Sequence, residues 1–451
     1  MKVALLSFLV VGLALAFARS AHAGAVVPYP IKEHTLANGL RVVFVNTPHE
    51  GVAAYYTLVR TGSRNEIEPG HSGFAHLFEH MMFRGTKNYS SEARDGELQK
   101  MGVTDNAFTT DDVTVYTNYG PSSGLAKLIE IEADRFQFLE YEEEAFQTET
   151  KAVLGEYNKN FADPGQKLEE LMCDLAFTTH TYKHTTMGFL EDIKAMPTMY
   201  EYSKSFFGRW YRPDNCVVFV VGGFDPDATL AEIKKHYGSW SGSVAKVEIP
   251  VEPPQTAEKR LHHEWDTPTQ PRVLVGYHTP GARNSLKDCA IQNVLNSYLI
   301  GETSPAYKTL VLDRQIVERI EAYYFDHRDP RLWSYNLVLK ERDHTDDAVA
   351  FIDGSIAELS AGKVDEKRFR DAQSNFRYGL SMQMETPADI AVNLAVVTGL
   401  TGDVATLDKI AEAVAGLSSA DLVAFAKTYF TKNNRSVVTL ASREEESHGS
   451  R

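Results

Sequence analysis

Apolar positions along this chain recur with two different periods. "LRVVFVNT" (40–47) and "VAAYYTLVRTG" (52–62) are short runs rich in β-branched and aromatic residues. Such composition reads as strand and predicts a strand pair ahead of a helix. In "HSGFAHLFEHMMFRGTKNY" (71–89) the period lengthens. Phe74, Leu77, Phe78 and Met81 recur at i, i+3, i+4 and i+7, the stripe of a core-facing helix. Ser72 is placed to cap that helix and Gly85 to stop it. Two longer helical patterns follow, "SGLAKLIEIEADRFQFLEY" (123–141) and "EEEAFQTETKAVLGEYNKNF" (142–161), the second ending before "ADPG". Strands and helices in blocks predict an α+β fold.

The pattern repeats. "FFGRWYRPDNCVVFVVGG" (206–223) matches "FAKTYFTKNNRSVVTLAS" (425–442) at an offset of 219, and "GVAAYYTLVRTGS" (51–63) matches "TQPRVLVGYHTPG" (269–281) at 218. Two matches at nearly one offset predict two similar domains from an internal duplication, each a mixed or antiparallel sheet packed with helices. The proline-rich "VEIPVEPPQTAEK" (247–259) reads as the linker between them. The expected division is a first domain over 24–246, a second over 260–441, and a disordered tail over 442–451, where "SREEESHGSR" is strongly polar.

Residues 1–23 stand apart. A basic start, a 16-residue apolar run (3–18) and "AHA" (21–23) form the layout of a secretory signal peptide. The apolar run is short for a membrane span of about 20 residues. Export to the periplasm or the medium is expected, with no membrane span after cleavage. The formal charge of −15 becomes more acidic once Lys2 and Arg19 are removed. That balance speaks against nucleic-acid binding and mildly for basic substrates. Three scattered cysteines, Cys173, Cys216 and Cys289, exclude a disulfide framework and a cysteine zinc site; one disulfide or buried thiols both fit.

The chemistry concentrates in 74–85. His76 and His80 are one helical turn apart and share a face, so both imidazoles can grip one cation at about 2.0–2.1 Å. Glu79 lies beside them, where a carboxylate can take a proton from a water without filling the metal's open position. The order His-x-x-Glu-His is the inverted zincin motif. Three constrained positions also arise by chance, and a helix with two satisfied histidines and a surface glutamate fits the same letters. A catalytic zinc needs a third protein ligand. Glu149 and Glu156 are seven apart and share a partly apolar helix face with Phe146 and Val153, where carboxylates without a cation are costly to bury.

Together, "HSGFAHLFEHMMFRGTKNY", "DNAFTTDDVTVYT" (105–117) and "ETKAVLGEYNKN" (149–160) resemble the pitrilysin (M16) metallopeptidases, in the half-length branch that includes the mitochondrial processing peptidases. "HTYKHTTMGFLEDI" (180–193) is similar to a further family segment. The resemblance implies a zinc metalloendopeptidase of unfolded oligopeptides. It makes His76, His80 and Glu156 the Zn²⁺ ligands, Glu79 the general base toward the zinc-activated water, and Glu149 a supporting acid. It also makes "DNAFTTDDVTVYT" a strand that pairs with extended peptide, with Asn106, Ala107 and Phe108 as substrate-binding residues.

The second half carries no ligand set in "CAIQNVLNSYLIG" (289–301). Active relatives place an arginine and a tyrosine from their C-terminal portion near the scissile carbonyl. The corresponding strand is expected to be "RLWSYNLVLK" (331–340), with Trp333 where the arginine belongs. The resemblance therefore implies a second M16-like subunit supplying the Arg/Tyr pair in a two-chain clamshell, or otherwise a homodimer. A non-catalytic peptide-binding or assembly subunit and a homodimeric processing peptidase are the rival readings.

Overall fold

The computed structural model describes residues 25–323 and 326–443. The expected signal segment 1–23 lies outside these residues, as does the tail from 444 onward. Among the described residues eleven strands build two sheets. The first contains β1 (Ile31–Thr35), β2 (Arg41–Asn46), β3 (Val52–Val59), β4 (Thr104–Thr109), β5 (Thr114–Pro121) and β6 (Cys216–Gly222), in the order β1-β2-β6-β3-β5-β4. The second contains β7 (Lys259–Trp265), β8 (Arg272–Thr279), β9 (Val317–Tyr323), β10 (Arg331–Leu339) and β11 (Arg435–Ser442), in the order β7-β11-β8-β10-β9.

The two orders superimpose once β1 is set aside. Among the described residues the only parallel contact in each sheet is the first of the shared series, β2 with β6 and β7 with β11. Register agrees too: Tyr56 faces Phe219 in one sheet, and Leu274 faces Val438 in the other. These pairs are displaced by 218 and 219 residues, the offsets of the sequence matches. The molecule is thus an α+β duplication with mixed sheets.

The strand pair expected from 40–47 and 52–62 does not form. β6 lies between β2 and β3 and pairs with both. Every residue of "CVVFVVG" is buried, and a strand apolar on both faces belongs at a sheet's centre. β11 runs through Ser442, so the first residue of the expected tail is still in the sheet, paired with Trp265.

The helices of the first half are α1 (Phe74–Met81), α2 (Ser91–Met101), α3 (Leu125–Phe138), α4 (Glu143–Asn160) and α5 (Pro164–Ala176), with later helices behind them. One face of the first sheet packs with α1, α3 and α4 through Phe44, Tyr55, Phe74, Phe78, Phe136 and Phe146. Its other face is covered by the second half: Ile390, Ala391, Leu394 and Ala395 of helix Pro387–Thr401 lie on Val43, Leu58, Phe219 and Val221. The loan is returned, since Leu168, Met172 and Ala176 of α5 pack on Leu274, Leu332, Val438 and Leu440 of the second sheet. Each half therefore closes the other's core. Cys173, Cys216 and Cys289 are buried on α5, on β6 and in helix Leu286–Leu295 respectively. Among the described residues no single helix is long and apolar enough to cross a membrane.

Gly399 marks the tightest point of this exchange, where an added Cβ would run into Val113 and meet Leu58. Ala is better than Gly in a helix interior by about 0.8–1 kcal/mol, yet Gly399→Ala is expected to destabilise by about 1–3 kcal/mol through overpacking. Urea unfolding gives the sign directly.

Candidate metal centre

Helix α1 is anchored from below. Its cap position is Gly73 at φ 90, a left-handed conformation suited to glycine, and a Cβ there would strike the Met187 carbonyl. Ser72 does not cap: its hydroxyl donates to Asp192 at 2.6 Å and accepts from the Phe189 N–H at 2.8 Å. The free donors of the first turn go instead to buried Glu66, whose carboxylate accepts from Gly73 N at 2.7 Å and Ala75 N at 2.6 Å. Burial pushes this carboxyl up to about 8, with the N–H groups of Ala75 and Gly73 opposing. Phe74, Leu77, Phe78 and Met81 are fully buried, and this locks the rotation of α1. His76 and His80 then emerge together, ring centroids 4.8 Å apart.

Helix α4 brings the acids. Phe146 and Val153 are buried and hold its face toward α1. Glu156 Oε2 lies 3.6 Å from His76 Nε2 and 3.4 Å from His80 Nε2. The ligand atoms of His76, His80 and Glu156 all lie within 4.8 Å of one another. Two imidazoles and one carboxylate leave a fourth position open, the donor set of a catalytic zinc. Burial and the neighbouring His80 hold the His76 imidazole down to about 4, so it is neutral at pH 7, as a ligand must be. These residues fit a zinc ion.

Glu149, one helical stretch earlier, is buried and sits behind the pair. Its Oε2 is 3.4 Å from His80 Nδ1, and its other oxygen accepts from Arg84. Such a partner fixes which ring nitrogen carries the proton and leaves Nε2 for a cation. Although burial works against it, contact with His80 and Arg84 lowers the Glu149 carboxyl; the same hydrogen bond raises His80. Arg84 was not among the sequence candidates. Its position four residues after His80 is the one signal that could have pointed to it.

Glu79 faces the cleft, and the Thr109 hydroxyl donates to its Oε2 at 2.6 Å. Burial raises this carboxyl, with the Thr109 bond opposing. Thr109, also missed from sequence, ends β4. The segment 105–117, read as one strand, is a hairpin: Thr110 Oγ1 accepts from the N–H groups of Asp112 and Val113 and turns the chain. Among the described residues β4 pairs only with β5 and is the open edge of its sheet. Along it Asn106 is exposed, Ala107 is buried, and Phe108 lines the cleft.

The cleft has a volume of about 640 Å³ and takes its far wall from the second half through His327, Arg331, Val396 and Leu400. Trp333 is not part of it. The indole is fully buried, donates to Asn296 Oδ1 at 2.8 Å and packs on Phe430 in the second core. The residue of β10 that does reach the cleft is Arg331, at the strand's first position, where it ion-pairs with Asp111 at 2.8 Å.

Both halves of the chain resemble known proteins. The family profile described as Insulinase (Peptidase family M16) matches residues 41–189, and that of the Peptidase M16 inactive domain matches 199–376. Zinc protease PqqE of Helicobacter pylori is 27% identical over 90% of this chain and 91% of its own length. Mitochondrial-processing peptidase subunit beta of Lentinula edodes is 23% identical over 88% of this chain and 86% of its own. The crystal structure of a protease from Helicobacter pylori has a TM-score of 0.85 at 25% identity, covering 92% of this chain and 99% of that one.

If Glu149 orients His80, Glu149→Gln keeps the fold but weakens zinc binding by roughly 10–100-fold. Competition against a chromophoric chelator measures it.

Proposed function

Because the chain belongs to the M16 peptidase family, we propose that it is a zinc-dependent endopeptidase acting on extended peptides. The observation that carries this reading is the convergence of His76, His80 and Glu156 beside the half-buried carboxylate of Glu79. His76, His80 and Glu156 would hold the ion. A zinc bound there supplies Lewis-acid activation of water and of the scissile carbonyl. Glu79 takes the proton of the attacking water and returns it to the departing amine. The Thr109 hydroxyl keeps the Glu79 carboxylate turned toward the cleft until substrate arrives.

Substrate binds by strand addition to the free edge of β4, beside Asn106, Ala107 and Phe108. Main-chain pairing of this kind reads extended shape more than sequence, so unfolded oligopeptides are the substrates and folded proteins are not. β4 ends at Thr109, so a peptide laid along it is led toward Glu79. The second domain walls the cleft. The matching relative from Lentinula edodes is itself named as a subunit, and we take this chain to be the metal-bearing member of a two-chain clamshell, exported by its N-terminal segment.

Glu79→Gln is expected to retain zinc while peptide hydrolysis falls by about 10²–10⁴-fold, the usual contribution of a positioned acid–base group. Metal analysis and a quenched-fluorescence peptide assay on one preparation check both halves of that statement. Sizing and assay of the chain purified alone and with its genomic neighbour's product are expected to place full activity in the two-chain species; a fully active single chain contradicts the clamshell.

A further inference from the structure

A second cavity, about 870 Å³, opens at the junction of the two halves and shares no lining residue with the metal cleft. Four arginines line it: Arg60 and Arg64 following β3, and Arg283 and Arg328 from the second half. Few groups balance them. Asp329 is shared between Arg64, Arg283 at 3.7 Å and His180 at 3.2 Å, and Asp112 adds a contact to Arg64 at 3.8 Å. Arg60 reaches a backbone carbonyl, that of Gly399 at 3.4 Å. Among the described residues the buried Nε of Arg328 has no hydrogen-bond partner.

The remaining acids on the lining are committed elsewhere or exposed. Asp214 accepts from Val244 N at 2.8 Å, and Glu252 accepts from the backbone N–H groups of residues 178, 179 and 180. Glu248 is exposed. A second, independent feature points the same way. Trp210 lines the cavity, is 4% exposed, and its indole N–H has no acceptor among the described residues. Burial, together with Arg328, Arg41, Arg283 and Arg64, holds the Arg60 guanidinium down to about 10. An acidic chain has gathered cationic and neutral donors around one space and left them short of acceptors. Buried donors and charges of this kind are costly unless partnered.

We propose that this junction cavity binds a multiply charged phosphate-type oxyanion, held by Arg60, Arg283 and Arg328 with the Trp210 N–H. Guanidinium forks match tetrahedral oxyanions bidentately, and four arginines against Asp329 and Asp112 favour a ligand of charge two or more over a single carboxylate. The ligand bridges the halves, since Arg60 comes from one and Arg283 and Arg328 from the other. His327 and Arg331, flanking Arg328 in the chain, line the metal cleft, so an anion at the junction stiffens the far wall of that cleft.

The test uses the full mature chain at constant ionic strength, titrated calorimetrically with inorganic phosphate, tripolyphosphate and, as the carboxylate arm, succinate. Saturable one-site binding of a phosphate probe is expected, at least tenfold tighter than succinate, with a rise in Tm and a change in tryptophan emission. Arg60→Met and Arg328→Met each weaken it at least tenfold. So does Arg283→Met, whose exposed side chain makes loss of the fold a poor explanation. Arg314→Met, outside the cavity, leaves it unchanged. Absence of saturable phosphate binding, tighter binding of succinate, or undiminished binding in the three cavity variants overturns the proposal.

Discussion

Everything distinctive about this molecule depends on one approach between distant parts of the chain. The Glu156 carboxylate on α4 meets the imidazoles of His76 and His80 on α1 at 3.4–3.6 Å, across 76 residues of sequence. Neither helix could make the site alone. α1 supplies two imidazoles and the Glu79 carboxylate, while α4 supplies the Glu156 carboxylate and, in Glu149, an acid 3.4 Å from His80 Nδ1. An arrangement of this kind survives only where both helices are rigid, because a displacement of about 1 Å at a reacting group is already costly. Rigidity comes from the full burial of Phe74, Leu77, Phe78 and Met81 on one side and Phe146 and Val153 on the other.

The duplication serves the same end. A sheet with one face covered by its own helices still exposes the other, and each half solves this by accepting a helix from its twin. Helix Leu286–Leu295 of the second half carries no histidine or glutamate, yet that half remains part of the cleft. It contributes helix Pro387–Thr401 to the first core and Arg331 to the cleft wall. The charged contacts Arg331–Asp111 and Arg64–Asp329 cross the same junction, so the loop at the end of the β4 edge is held by residues from both halves.

Much of this was legible in the chain because local patterns and local geometry agreed. The helical stripe of α1, the shared face of Glu149 and Glu156, and the two offsets near 219 all follow from periodicity. What escaped depended on contacts between segments far apart in sequence. β2 and β3 read as partners, since nothing nearby announces that β6 will separate them. Ser72 read as a cap, because the acid that does the capping, Glu66, reaches back from the preceding loop. Thr109 and Arg84 carry no motif and gain meaning only from the carboxylates they touch. Trp333, expected near the cleft, is fully buried in the second core, where Phe430 from the far end of the chain packs on it.

Zinc content decides the matter most sharply when read beside a variant of the distant ligand. The purified chain should hold one zinc ion, with X-ray absorption reporting two imidazole nitrogens and a carboxylate oxygen, and Glu156→Gln should lose most of that metal while remaining folded. A Glu156→Gln protein that keeps its zinc, with unchanged coordination, would contradict the assembly of a metal centre between α1 and α4.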